Sequence, residues 1–200
     1  MSVFTQLADS FFSKNNVDIH GLSQELDAMT HSERLKWMGR QSLLAQAGLW
    51  ESAAGRGLTS DHLVPPETPL GGEVIHEGRN TLPVLSRFQK RFIRDVKRSD
   101  ILYGYNEGVT RSVIGPGYFV AELDAARAEL GVNYYRVPPG DVQLPHGWPE
   151  IRTNEEGLQR FVFSNMVDYL RRVSAHICIG RAYRASRETR NYFLLCRVDK

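Results

Sequence analysis

The chain has 200 residues, 25 basic and 23 acidic, and a formal net charge of +2. That length suits one domain, or one domain with an appended helical segment, and 10% aromatic residues argue against disorder across the whole chain. The small net charge hides four alternating blocks: −5 over residues 1–78, +6 over 79–98, −5 over 99–170 and +6 over 171–200, which excludes a uniformly basic protein.

The N-terminus has no basic start and carries Asp9, so it does not read as a secretory signal. No apolar run is long enough to span a membrane as a helix, and the simplest compartment is the cytoplasm. Residues 1–56 read as an N-terminal helical segment. Thr30 and Glu33 match a capping box, with Leu35, Met38, Ala45 and Leu49 as the apolar stripe behind it. Residues 57–72 (GLTSDHLVPPETPLGG) hold three prolines and three glycines and read as a linker. Residues 73–200 form the main body.

Within that body, 73–77, 101–105, 118–123 and 132–137 are strand candidates, rich in aromatic and branched residues. Pro116-Gly117 fits the centre of a type II turn. Residues 138–153 are expected to be an ordered loop anchored by Trp148. The recurrence of Leu158, Phe161, Val162, Met166, Tyr169, Leu170 and Val173 predicts a long helix over 154–174, capped by Asn154. Residues 176–183 and 191–198 read as a C-terminal antiparallel hairpin joined by RASRETR.

The basic segment 79–98 carries two readings. On a helical wheel, Leu82, Leu85, Phe88, Phe92, Ile93 and Val96 share one arc, and the Lys and Arg residues share the other. Periodicity favours a helix. The strand alternative stays open because FQKRFIR could pair with ILYGY across DVKRSD. The expected fold is α+β: a curved antiparallel sheet or half-open barrel of five to seven strands with packed helices. The N-terminal helices would cover a sheet edge or make a homo-oligomer contact.

No catalytic signature with specific spacing is present. HExxH, GxSxG, a Walker loop and GxGxxG are all absent, and no Cys or His spacing indicates a metal. Cys178 and Cys196 sit in apolar runs and read as small buried residues of a reducing compartment. No cofactor is expected.

The leading reading is binding of an anionic, partly apolar small molecule by tyrosines and arginines in the curved sheet: Arg79, Arg87, Tyr103, Tyr105, Asn106, Tyr118, Arg181 and Tyr183. Tyrosines supply apolar walls with a polar end, and arginines attract the anion. Two alternatives accompany it. In one, segments 79–98 and 171–190 dock an acidic protein, nucleic acid or an anionic membrane surface. In the other, the chain is a cofactor-free acid–base enzyme with His76 and Glu77 as proton carriers. The blocks could also neutralise one another within the fold.

Overall fold

A computed structural model describes residue 11, residues 17–82 and residues 86–199. Eight antiparallel strands close into a barrel in simple chain order. They are β1 (Val74–Asn80), β2 (Arg87–Arg94), β3 (Leu102–Glu107), β4 (Phe119–Asp124), β5 (Glu129–Asn133), β6 (Met166–Arg172), β7 (Ile177–Arg184) and β8 (Arg187–Arg197). β1 pairs with both β2 and β8, so the ring has no free edge. This corrects the expected α+β half-open sheet of five to seven strands: the sheet closes on itself, and the helices are few and short.

Among the described residues, three ten-residue helices come first in the chain: α1 (Ile19–Ala28), α2 (His31–Arg40) and α3 (Leu43–Ser52). The capping box at Thr30 and Glu33 forms as its spacing predicts. The helices lie on the outside of the barrel, α2 against β8 and β1, and α3 against β7 and β8. Leu22, Leu26, Trp37, Leu49 and Trp50 meet the outward-facing Ile177, Ile179, Leu194 and Cys196 there. β7 and β8 are thus buried on both faces, and this is why HICIG and YFLLC are continuously apolar. Arg34, itself buried, ties this layer to the chain's end through Asp199 at 2.5 Å and through the Met29 carbonyl at 2.8 Å.

The basic segment is a strand and not a helix. Phe88, Lys90 and Phe92 point inward from β2, and β2 pairs with β3 in register Phe92↔Gly104. The hairpin between FQKRFIR and ILYGY exists, and Asp95 donates its backbone N–H to the Ile101 carbonyl at 3.0 Å to close it.

The long helix expected over 154–174 is also absent. A short helix, α6 (Gln159–Phe163), is followed by the extended Ser164 and by Asn165 at φ 58°, and β6 begins at Met166. The apparent helical period arose from adjoining a one-turn helix to a strand whose inward set is Met166, Asp168 and Leu170. Asn154 is not a helix cap. It is buried, and its amide donates to the carbonyls of Tyr118 and Tyr134 at 2.6 and 2.8 Å. The C-terminal hairpin forms with a tighter connection than RASRETR implied. Arg184 pairs with Arg187, and Ala185 and Ser186 both take positive φ, the geometry that matches strand twist in a two-residue turn.

One barrel end is closed. The short helix α4 (Ser60–Leu63) covers it, held by His76, Arg94 and Arg197. Leu58, Leu63 and Val64 continue the interior core of Phe92, Leu102, Leu130, Val132, Leu170 and Leu195. Outside β2–β4, the loop after β5 lays Val142, Leu144 and Trp148 over Ile93, Ile101, Tyr103 and Val120. Trp148 packs edge-on to Tyr105 at 4.8 Å and donates to Glu73 at 2.6 Å. The remaining helix, α5 (Arg111–Ile114), stands at the opposite barrel end.

Candidate functional site

The other end of the barrel opens into a cavity of about 410 Å³. Its floor is polar and its walls are aromatic, and both follow from strand alternation. Three cross-strand pairs place an inward glycine opposite a phenylalanine: Gly78↔Phe88, Gly104↔Phe119 and Gly180↔Phe193. A Cβ at any of these glycines would collide with the facing ring, so glycine is what lets each ring lie down on the barrel wall.

The three rings, with Tyr134, surround the Lys90 ammonium. Its Nζ lies 5.7 Å from the centroid of Phe88, 5.1 Å from Phe119, 5.3 Å from Phe193 and 5.0 Å from Tyr134. All three ammonium protons have partners. Nζ donates to Asn106 Oδ1 at 2.9 Å and to the Tyr134 hydroxyl, and pairs with Asp168 Oδ2 at 3.1 Å. Tyr134 also donates to Asp168 Oδ2 at 3.2 Å, and the Asn106 amide donates to the Gly117 carbonyl at 2.9 Å. Four side chains from β2, β3, β6 and the residue after β5 therefore converge on one point.

Tyr134 is fixed in turn. Its ring stacks on Phe163 at 5.3 Å, and Asn154 holds its carbonyl. Gly117 at φ 54° leaves room for Phe163.

The electrostatics of this cluster are those of a buried pair. Burial pulls the Lys90 pKa down, against the attraction of Asp168. Burial pushes the Asp168 carboxyl up, against the attraction of Lys90. The Tyr134 phenol is raised well above 10 by burial and by the neighbouring Asp168 charge. Burial thus opposes the charged form of both members of the pair, and their mutual attraction opposes that effect.

The mouth differs from the floor. Arg87, Arg111 and Arg184 stand around it with Phe161 and Val109, and the two apolar side chains are 65% and 84% exposed. Arg111 pairs with Glu107 at 2.8 Å, and Arg184 donates to the Val162 carbonyl at 2.6 Å. Among the described residues no carboxylate pairs with Arg87.

Of the residues singled out from sequence, Asn106 lies on the cavity floor and Arg87 at its mouth. The others lie elsewhere. Tyr103, Tyr105 and Tyr118 point outward beneath the Trp148 loop, bonding Asp95, Glu107 and the Pro149 carbonyl. Tyr183 points outward to Arg127 and Glu188, at 3.0 Å each. Arg79 bonds Ser86, and Arg181 pairs with Glu188 at 2.9 Å. Glu77 is on the outer face of β1, accepting from Gln89 at 2.9 Å. His76 faces inward at the closed end, donating Nε2–H to the Leu63 carbonyl at 2.9 Å, with its ring edge-on to Phe92 at 5.2 Å. Burial lowers its pKa to about 4.

Sequence reasoning missed Lys90 and Asp168. The signal for Lys90 was present in the strand reading: a lysine between two phenylalanines on one face. Asp168 was likewise the single acidic residue of MVDYLRR, on the face shared with Met166 and Leu170.

The basic segment meets the acidic blocks. Arg91 pairs with Glu73, Arg94 with Asp61, Lys97 with Asp141 and Lys90 with Asp168. Arg171, in the second basic block, pairs with Glu129 at 2.6 Å. Both cysteines are free and buried, and burial pushes the Cys178 and Cys196 thiols up to about 12 and about 11. Among the described residues no group of three or more His, Cys, Asp or Glu side chains is placed to hold a metal ion, and no helix is long and apolar enough to cross a membrane. A closed barrel of eight strands is compatible with holding one small molecule in its interior. Comparison with protein-family models and with curated proteins finds no match, so the functional reading rests on the geometry of this lumen.

Proposed function

We propose that the barrel binds one elongated, mainly apolar small molecule that carries a neutral polar group at its inner end and an anionic group at its outer end. The observation that carries this reading is the polarity gradient of the lumen. A compensated Lys90–Asp168 pair lies at the floor, phenylalanine rings form the walls, and arginines stand at the mouth. A cavity of about 410 Å³ is in the range that accommodates such a molecule.

The orientation follows from charge. Asp168 already neutralises Lys90, so a second anion at the floor would face a carboxylate with no water to screen it. A carbonyl or hydroxyl suits the floor, where Lys90, Tyr134 and Asn106 offer donors and acceptors. A carboxylate suits the mouth, beside Arg87. The walls contribute by hydrophobic transfer, roughly 25 cal/mol for each Å² of apolar ligand surface covered.

The test uses the ω-hydroxy derivative of decanoic acid, titrated calorimetrically. Arg87→Glu is expected to weaken binding roughly tenfold, as a reversed charge at the mouth costs on the order of 1 kcal/mol in this partly solvated setting. Unchanged affinity for Arg87→Glu would overturn the assigned orientation. Moderate salt is expected to weaken binding only slightly, whereas docking on phosphates through segments 79–98 and 171–190 would fall steeply with salt. The internal pairing of Arg91, Arg94, Lys97 and Arg171 supports the lumen over that docking alternative.

A further inference from the structure

We propose that Lys90 bonds covalently to an aldehyde at the inner end of the ligand, forming an iminium whose counterion is Asp168. The inference rests on the lumen-binding reading and names the reactive class within it.

Three features of the site support it. First, Lys90 is a lysine that lines a cavity while its side chain is only 2% exposed, so a ligand entering the lumen meets Nζ at the end of an apolar path. A buried pair that served packing alone would be sealed from the cavity. This one forms its floor. Second, the proton that must leave Nζ has a defined acceptor, Asp168 Oδ2 at 3.1 Å. An amine is nucleophilic only when neutral, and a desolvated lysine beside a carboxylate that burial disposes to protonation reaches that state readily. Third, the Tyr134 hydroxyl and the Asn106 amide both contact the same locus and can hold the oxygen of the carbonyl and of the carbinolamine that follows.

The steps balance without an external reagent. Lys90 passes one proton to Asp168. The freed Nζ lone pair attacks the aldehyde carbon, the C=O π pair moves to oxygen, and the Nζ proton follows to give a carbinolamine. Asp168 returns its proton to the carbinolamine hydroxyl, the C–O bond breaks, and water leaves through the mouth. The nitrogen lone pair forms the C=N bond. The products are a protonated imine, an Asp168 carboxylate and one water molecule, and the net charge of the site is unchanged. Aromatic faces that surround the ammonium serve the iminium cation equally well.

The experiment compares ω-oxodecanoic acid with the ω-hydroxy acid on the full chain, with cyanoborohydride present at limiting amount and the product mapped by peptide mass spectrometry. The chain has five lysines, and Lys14, Lys36, Lys97 and Lys200 serve as internal controls. The expected result is one adduct per chain, at Lys90, suppressed by excess ω-hydroxy acid. Asp168→Asn, which keeps a hydrogen-bond acceptor beside Lys90, is expected to slow adduct formation at least tenfold at saturating ω-oxodecanoic acid. Label spread over the other lysines with Lys90 unmodified, while the ω-hydroxy acid binds, overturns the covalent inference and leaves the binding reading standing. Failure of both acids to bind overturns both. Because the primary readout is a map of the unmodified chain, it does not depend on whether a Lys90 variant folds.

Discussion

Lys90 on β2 and Asp168 on β6 meet across the full width of the barrel, Nζ to Oδ2 at 3.1 Å, with side-chain exposures of 2% and 4%. The two strands are four positions apart in a ring of eight, so the pair spans the lumen and joins opposite walls. A buried ion pair is costly to halve, because the remaining charge has no solvent. Lys90→Met is therefore expected to cost about 3–5 kcal/mol of folding stability, and Asp168→Leu a similar amount. The double variant Lys90→Met/Asp168→Leu should recover most of the loss, since two apolar side chains leave no unpaired charge. Urea unfolding of the four species checks this, and additive losses would mean that the two groups are not energetically coupled.

His76 makes a separate prediction about pH. It is buried and neutral: Nε2–H serves the Leu63 carbonyl, and Nδ1 has no hydrogen-bond partner. Protonation would bury an unpaired N–H and a charge, which is why its pKa falls from the ordinary 6.5 to about 4. The unfolded chain accepts the proton first as pH drops below about 6.5. Stability is then lost between pH 6.5 and 4 and loses no more from this group once the folded state also titrates. The loss attributable to this residue is on the order of 3 kcal/mol. Comparing the native chain with His76→Gln isolates it: the variant's stability should fall less over that interval, and parallel curves would contradict the assignment.

The glycine–phenylalanine pairs predict a steric sensitivity. Gly180→Ala would drive a methyl group into the Phe193 ring, and that ring is one wall of the Lys90 surround. Expected consequences are a destabilisation of about 1–3 kcal/mol and weaker binding of the ω-hydroxy acid. Gly140→Ala, where a Cβ meets open space, is the matched control and should change neither quantity. Thermal melts and titrations of both variants provide the measurement.

The sequence made the local elements legible and the closure illegible. The Thr30–Glu33 capping box, the hairpin of β7 and β8 and the anchoring role of Trp148 could all be read from nearby residues. Residues 154–174 misled because Phe161 and Val162 on a short helix, followed by Met166 and Leu170 on a strand, imitate one helical stripe. Segment 82–98 misled because Arg87 and Arg91 alternate with the inward Lys90 and with Arg94 at the covered barrel end, whereas a helical wheel places all the cations together. Lys90 and Asp168 are far apart in the chain, and only barrel closure brings them within 3.1 Å. The tyrosines drew attention as pocket residues because their hydroxyls suit a ligand. Yet Tyr103, Tyr105 and Tyr118 spend theirs on Asp95, Glu107 and the Pro149 carbonyl beneath the covering loop.

The central claim is that the lumen is the binding site, and blocking the lumen tests it most directly. Ala182 faces the cavity from β7 as the cross-strand partner of Asp168, so Ala182→Trp places an indole in the lumen beside the Lys90–Asp168 pair and blocks access to the floor. Calorimetric titration with the ω-hydroxy derivative of decanoic acid should give one site per native chain and no detectable binding to Ala182→Trp, with both proteins folded by near-ultraviolet circular dichroism. Equal binding to the two folded proteins would contradict the account.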